Sequence, residues 1–329
     1  MKTDKSDILT LLRNSKDYVS GQQLCDQFGV SRTAVWKVIN QLKEEGYEIE
    51  SVPRKGYRLV ETPKDILSKS EIASRLHTKW AGRKLYYLES TGSTNTDAKR
   101  LAEEGEPHGT TIVANMQTAG KGRRGRTWQS PAGANTYFTI LLKPDFSPDK
   151  ASMLTLVMGL SVAEAVRDTG VKVSIKWPND VVVSHKKICG ILTEMGLEKG
   201  RIREVVIGDG INVNLEEIPE ELQDKATSLY LETGKKFDRS ELIGKIMEKF
   251  EKNYEKFIQT CDLSMMVDEY NDMLANRQQP VRILDKLHPY EGTALGINEQ
   301  GELLVRDREG TLQVVRSGEV SVRGLYSYV

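Results

Sequence analysis

The spacing of apolar residues changes character several times along the chain. Ile8, Leu11 and Leu12 share one face of a short helix. Ser20-Gly-Gln-Gln23 fits a capping box opening a second helix, which buries Leu24 and Phe28 and stops at Gly29. Ser31 caps a third, with Val35, Ile39 and Leu42 at i, i+4 and i+7 as its buried stripe and Gly46 as its stop. Alternation then replaces helical spacing: Ile49 lies between Glu48 and Glu50, and Tyr57 and Leu59 flank Arg58. This predicts two strands joined by a turn through Pro53, Arg54, Lys55 and Gly56. Helix, glycine turn, helix and basic-tipped hairpin together predict a winged helix-turn-helix over residues 1–62, with a linker at Glu61-Thr-Pro63-Lys-Asp65.

The pattern beyond the linker mixes strands and helices. Thr111–Ala114 and Tyr137–Leu142 are β-branched, apolar runs that predict strands. Leu156, Leu160 and Ala163 sit at helical spacing within Ala151–Asp168. Two further strands are predicted over Lys187–Glu194, after a turn at Ser184-His185, and over Val205–Asn214. Glycines 208 and 210 inside the latter mark close approach by a ligand or another backbone. Tyr254–Tyr270 has helical spacing, and from about residue 277 polar and apolar positions alternate between turns at Asn298–Gly301 and Glu309-Gly310. The expected architecture is multidomain α+β: the winged helix, a central mixed α/β domain over 63–275, and a small SH3-like β-barrel over 276–329. The barrel is either purely structural or an aid to binding at the central domain.

Composition narrows this little. A chain of 329 residues with 38% hydrophobic and 29% charged residues reads as a soluble, multidomain globular protein. Lys plus Arg and Asp plus Glu both number 47, so any nucleic-acid contact has to come from a local patch. Arg32, Thr33, Trp36 and Lys37 fall outside the buried stripe of the third helix, and with Ser31, Arg54 and Lys55 they form the candidate DNA-binding set. A tryptophan at helical spacing also fits a core position, and a helical bundle that binds protein is the other reading of this segment. The first residues lack the apolar stretch of a signal peptide, and no run is long enough to span a membrane. Cys25, Cys189 and Cys261 are isolated, as free thiols in a reducing cytoplasm would be, and the four histidines show no metal-ligand spacing.

The segment after Ala114 carries the first candidate chemistry. Gly120, Gly122 and Gly125 match GxGxxG, with Asp145 downstream. A dinucleotide turn, however, needs a helix directly after the glycines, whereas here Pro131 and Gly133 follow and then a strand. No Gly-Lys-Ser/Thr closes it as a Walker loop either. What remains is a glycine-rich loop crowded with Lys121, Arg123, Arg124 and Arg126, suited to closing over a phosphate or acyl phosphate. Trp128 just beyond it can cover an adenine ring or an apolar ligand. Further on, Lys176-Trp-Pro-Asn-Asp180 sets a lysine, an amide and a carboxylate between strand-like runs.

Taken in order, these motifs resemble the bifunctional biotin–protein ligases that also repress the biotin operon. The resemblance covers essentially the whole chain: a winged helix, Ser93-Thr-Asn95, Gln117 with GKGRRGR and Trp128, KWPND, Lys187-Ile-Cys-Gly-Ile-Leu, Gly208-Asp-Gly-Ile-Asn212, and a small C-terminal barrel. It implies a class II aminoacyl-tRNA-synthetase-like catalytic domain and an ATP-dependent biotin–[acetyl-CoA-carboxylase] ligase. Ser93, Thr94, Asn95 and Gln117 would bind the ureido ring, and Gly120, Lys121, Gly122 and Arg123 would close over biotin and its adenylate. Gly190, Leu192 and Gly208 would line the pocket. Arg126, Trp128, Asn179 and Asn212 would meet the nucleotide. Lys187, Arg123, Lys176 and Asp180 would be catalytic, with Asp180 orienting the acceptor amine or the metal; a plain turn aspartate is its other reading. Magnesium would arrive with ATP rather than at a resident metal site. Partners would be the biotin carboxyl carrier protein and other biotin-dependent carboxylases, operator DNA, and a second copy recruited by the ligand, with no membrane contact. Relatives often carry arginine where Lys121 stands, which keeps the charge but loses the guanidinium fork. A lipoate-type ligase and a non-catalytic ligand-sensing repressor are the competing readings. The loop with KWPND favours biotin over lipoate, and Lys176, Arg123 and Lys187 together favour catalysis.

Overall fold

Serines and glycines punctuate the N-terminal helices as their cap chemistry requires. The computed structural model describes residues 5–284, 289–316, 321–324 and 328–329. After α1 (Lys5–Asn14), the Ser20 hydroxyl accepts the Gln23 N–H at 3.0 Å and opens α2 (Gly21–Phe28), which Gly29 closes at φ 64°. Ser31 accepts the Ala34 N–H at 3.2 Å and opens α3 (Arg32–Glu44). The wing is the antiparallel hairpin of β1 (Glu48–Val52) and β2 (Gly56–Glu61). Gly56, at φ 120°, approaches the Val19 carbonyl so closely that a Cβ would lie 2.1 Å from its oxygen. Ile8, Leu9, Leu12, Leu24, Val35, Ile39, Leu42 and Ile49 form one buried core.

This unit runs on to His77 and includes Asp238–Gly244. α4 (Lys69–Ala73), capped by Ser68, carries Glu71, whose side chain is 1% exposed. Glu71 accepts from Arg13 at 2.8 and 2.9 Å, from Arg75 at 2.6 Å and from the Tyr47 hydroxyl. Arg75 also reaches Asp238 at 2.6 Å, and Arg239 donates to Asp65 at 2.8 Å. A buried carboxylate with two guanidiniums is a structural centre; Arg75 is its i+4 neighbour, but Tyr47 and Arg13 lie 24 and 58 residues away, where no local pattern signals them.

The second unit comprises Thr78–Phe237 and Lys245–Val329. In chain order it contains β3 (Leu85–Leu88), α5 (Thr94–Glu103), β4 (Thr111–Ala114), β5 (Thr136–Leu142), α6 (Leu154–Arg167), β6 (Ser174–Lys176), β7 (Asp180–Val183), β8 (Lys186–Glu198) and β9 (Arg201–Ile211). The sheet order is β3-β4-β5-β9-β8-β7-β6, parallel at β3–β4 and antiparallel elsewhere. α5 packs Ala98, Leu101 and Ala102 on Ile112, Leu141 and Val206. α6 lies against the opposite face, with Gly159 facing Ile191. Next come α7 (Leu229–Thr233), α8 (Arg239–Thr260) and α9 (Val267–Met273). The single helix expected over Tyr254–Tyr270 is therefore two. α8 starts far earlier, its stripe continuing through Leu242, Ile246, Met247 and Phe250, and it ends at Cys261, whose φ is 54°. In α8, the buried Glu251 carboxylate accepts the N–H groups of Lys79, Trp80 and Ala81 at 2.8–2.9 Å.

The C-terminal sheet has the order β13-β12-β11-β10-β14, all antiparallel, from β10 (Pro280–Leu284), β11 (Tyr290–Ile297), β12 (Leu303–Asp307), β13 (Leu312–Val315) and β14 (Ser321–Gly324). It is tied to the larger sheet by Trp177, which is buried and donates its indole N–H to the Gly301 carbonyl at 3.0 Å. His288 lies outside the described residues. Cys25, Cys189 and Cys261 are free thiols, and among the described residues no helix is long and apolar enough to cross a membrane.

One core residue breaks the apolar pattern. Alternation turns Gly208 and Gly210 to one face of β9 and Asp209 to the other, beside Phe138 and Ile191 in register. Both Asp209 carboxyl oxygens are buried without a hydrogen-bond partner among the described residues, and burial pushes the group well above the ordinary carboxylate range. The folded chain therefore keeps this proton where the unfolded chain has lost it. Stability contributed here is present below the unfolded value, near pH 4, and falls as pH rises toward the folded one. Asp209→Val is expected to stabilise the protein by about 1–3 kcal/mol at neutral pH and to flatten that slope. Thermal melts of both chains at pH 5 and pH 8 check this, and an Asp209→Val chain that melts below the natural one at pH 8 would contradict it.

Candidate active site

The site lies over the glycines of β8 and β9, at the start of α5. Gly208 lets the Asn95 amide rest on the strand: a Cβ there would stand 2.0 Å from Asn95 Oδ1. Gly210 and Gly190 do the same for Trp128, where a Cβ would lie 2.3 Å from its Nε1 and 3.0 Å from its ring, respectively. The expected close approach to these strand glycines is thus made by the protein's own side chains. Gly120 is equally constrained, because a Cβ would lie 2.4 Å from the Trp128 carbonyl oxygen.

One end of the pocket is a neutral hydrogen-bonding network. Gln117 Oε1 accepts from the Thr94 N–H at 3.0 Å and from its hydroxyl at 3.1 Å, while Gln117 Nε2 donates to Ser130 at 3.0 Å. The Thr139 hydroxyl is 2.7 Å from Asn95 Oδ1, and Asn95 Nδ2 donates to the Leu192 carbonyl at 3.2 Å and to Glu194 at 2.8 Å. Ser93 is buried at the head of α5, with no side-chain capping bond. Burial alone would raise the Glu194 carboxyl, but Lys99 and Asn95 outweigh it and hold it below its usual range. Paired donors and acceptors with little net charge suit a small ring bearing N–H and C=O groups. Thr139 and Glu194 escaped sequence reasoning because their partners are 44 and 99 residues away.

The other end is cationic. Lys187 Nζ is 2.6 Å from Asp180 Oδ1 and 5.0 Å from the Trp128 ring centroid. The glycine-arginine loop folds on itself, with Gly122 N–H on the Arg126 carbonyl at 2.7 Å and Trp128 N–H on that of Gly120 at 2.9 Å. This turns Arg123 inward, where its guanidinium donates to Asn179 Oδ1 at 2.7 Å. Burial pushes Arg123 below the ordinary arginine range, partly offset by Asp180. Asn179 Nδ2 in turn donates to Asp180 Oδ1 at 3.1 Å. Lys176 is buried beside Asp180, its partner in the β6–β7 register. A neutral pocket opening onto Lys187 and Arg123 can hold an uncharged ring whose side chain ends in an anion.

Most of the expected residues meet here, and five do not border the pocket: Gly120, Arg126, Lys176, Asp180 and Asn212. Ser93, Thr94, Asn95, Gln117, Lys121, Gly122, Arg123, Trp128, Asn179, Lys187, Gly190, Leu192 and Gly208 border one pocket, joined by Ile191, Asp209 and Gly210. Lys121 is exposed and donates to Thr96 at 3.1 Å. Arg124 and Arg126 face solvent. Asn212 is buried behind the pocket, accepting from Asn135 at 3.3 Å and donating to the Thr227 carbonyl at 3.0 Å. Lys176 and Asp180 stand beside the pocket wall. Among the described residues no group of three or more His, Cys, Asp or Glu is placed to hold a metal ion.

In the N-terminal unit, Arg32, Thr33, Trp36 and Lys37 of α3 and Arg54 and Lys55 of the wing are all exposed. Trp36 is 56% exposed, which settles it as a surface residue. Ser31 serves as the helix cap, and Arg32 is held by Gln22 at 2.9 Å. Tyr18, missed in the sequence, lies under Arg58 and Lys55, whose charged ends are 4.9 and 5.6 Å from its ring centroid.

Three family patterns match the chain: the HTH domain over residues 5–58, the Biotin/lipoate A/B protein ligase family over 87–212, and the Biotin protein ligase C terminal domain over 279–323. The chain is 39% identical to the bifunctional ligase/repressor BirA of Bacillus subtilis, across 95% of this chain and 97% of that one. It is 33% identical to the Escherichia coli protein of the same name, across 96% of each. Among solved structures it resembles the Aquifex aeolicus biotin protein ligase in complex with biotin and ATP, at 37% identity and a TM-score of 0.65, covering 74% of this chain and 99% of that one.

Proposed function

The chain belongs to the bifunctional ligase/repressor family, and from that premise we propose that it joins biotin to AMP, passes the biotinyl group to a lysine of biotin-dependent carboxylases, and represses transcription through its winged helix. The observation that carries this reading is the junction of the Thr94–Asn95–Gln117 network with Lys187 and Arg123 in one pocket. The ureido ring of biotin matches the network in its N–H and C=O groups. The valeryl carboxylate then ends among the cations. Its oxygen attacks the α-phosphorus of ATP; a C–O–P linkage forms, the Pα–O bond to pyrophosphate breaks, and pyrophosphate leaves with the electron pair. Both reactants are anions, so Lys187 and Arg123 offset their repulsion and the charge that builds between them. Magnesium enters as the ATP salt. Trp128 and the folded loop keep water from the mixed anhydride.

In the second step the neutral amine of an acceptor lysine attacks the acyl carbon. The C–N bond forms, the C–O bond to AMP breaks, and Asp180 takes the proton the amine loses. The acceptors are the biotin carboxyl carrier protein and other biotin-dependent carboxylases, in the cytoplasm. Incubation with ATP, magnesium, biotin and a carrier domain, followed by mass spectrometry of the carrier, tests the whole sequence. An unmodified carrier overturns it.

Repression uses two copies on a two-fold-symmetric operator, because one winged helix presents few base-reading side chains. Biotinyl-AMP acts as corepressor by ordering the loop in advance and so lowering the entropic cost of dimerisation. Exposed Met195 and Leu197 on β8 offer apolar surface for a second copy. Sedimentation with and without the adenylate is expected to show dimerisation about tenfold tighter when it is bound, within the usual range of coupling energies. An unchanged constant rules the coupling out.

A further inference from the structure

Tyr328 lies against the active site. The Tyr328 hydroxyl donates to Asp180 Oδ2, and Lys176 Nζ lies 3.3 Å from the centre of the Tyr328 ring. Asp180 does not need this contact to be positioned. It opens β7, its Oδ1 is held by Lys187 at 2.6 Å, and Asn179 adds a hydrogen bond to the same oxygen at 3.1 Å. The phenol instead fills the second carboxylate oxygen, and its ring covers the neighbouring buried ammonium. A phenol and an amine are both hydrogen-bond donors to a carboxylate. With two donors on Oδ1 and the phenol on Oδ2, an arriving nucleophile has to share Oδ2 with Tyr328 or displace it.

Resting on the ligase reading, we propose that Tyr328 occupies the place of the acceptor lysine, so that the C-terminal end of the chain competes with the acceptor protein for Asp180. The transfer step uses the Oδ2 face that the phenol covers: the acceptor amine hydrogen-bonds there, gives up its proton there as the C–N bond forms, and displaces AMP from the acyl carbon. Tyr328 is therefore a gate on the second half-reaction. Nearby Lys176 and Lys187 give the subsite its selectivity, because two cations favour the neutral, nucleophilic form of an incoming amine. Adenylation draws on Lys187 and Arg123 and meets Tyr328 only indirectly.

The test uses the full chain with Tyr328→Phe, Tyr328→Ala and a deletion of Tyr328 and Val329. A biotin carrier domain is titrated to separate KM from kcat, and biotin-dependent pyrophosphate exchange is measured on the same preparations. The acceptor KM is expected to fall about tenfold for Tyr328→Ala and the deletion, the size of one hydrogen bond to a charged group. Tyr328→Phe is expected to fall between these and the natural chain, because its ring still covers Lys176. In all three the ratio of transfer to exchange rises. An acceptor KM that is unchanged or higher, or a kcat that drops, overturns the gate. Absence of exchange in the natural chain defeats the ligase reading itself, whereas normal exchange with an unmoved acceptor KM removes only the role of Tyr328.

Discussion

Lys187→Ala is expected to slow biotin-dependent pyrophosphate exchange by about a hundredfold or more, the usual loss when one preorganised group facing developing charge is removed. Two effects add. The variant loses a cation aimed at two reacting anions, and it leaves Asp180, now without its 2.6 Å partner, as a carboxylate facing those same anions. Lys187→Arg keeps the charge but not the shape. The ammonium sits where Gly190 lacks a side chain, 2.8 Å from the position a Cβ would take, and a guanidinium is broader. An intermediate rate is expected for that variant. Exchange near the natural rate in Lys187→Ala would show that adenylation does not depend on this cation.

The N-terminal helices were legible because their signals are local. Ser20 with Gln23, Gly29 and Ser31 with Ala34 act within a few residues, and the structure uses each as cap chemistry demands. The strands around the site were legible for a related reason: fully buried, β-branched runs such as Thr111–Ala114 have few alternatives. Glycine positions announced a close approach but not its partner, and that partner proved to be Asn95 and Trp128. Asn212 was named from resemblance alone, and its amide is engaged with Asn135 and Thr227. The contacts of Thr139, Glu194 and Tyr328 join positions 44 to 148 residues apart, and spacing along the chain carries no information at that range. Asp209 stood out in sequence only as part of a glycine-rich strand; its burial follows from a register that the sequence does not display.

The region after Pro63 gives the same lesson in energetic form. The expected linker ends at Asp65, and six residues on Glu71 is among the most buried carboxylates of the described residues. Removing it strands more than one partner. In Glu71→Leu, Arg13, Arg75 and Tyr47 keep their burial and lose the group they donate to. Breaking a buried ion pair from one side typically costs about 3–5 kcal/mol, because the surviving charge stays desolvated. Arg75 retains Asp238, which places the expected loss toward the lower end. Glu71→Gln keeps an acceptor oxygen and should lose less. Because Tyr47 closes the core next to Ile49 and Leu42, the loss is expected first in the N-terminal unit. Operator binding should therefore fail at temperatures where pyrophosphate exchange persists. Thermal melts followed by amide hydrogen exchange over residues 5–61 check this. Unchanged protection there in Glu71→Leu would show that the winged helix stands without the carboxylate.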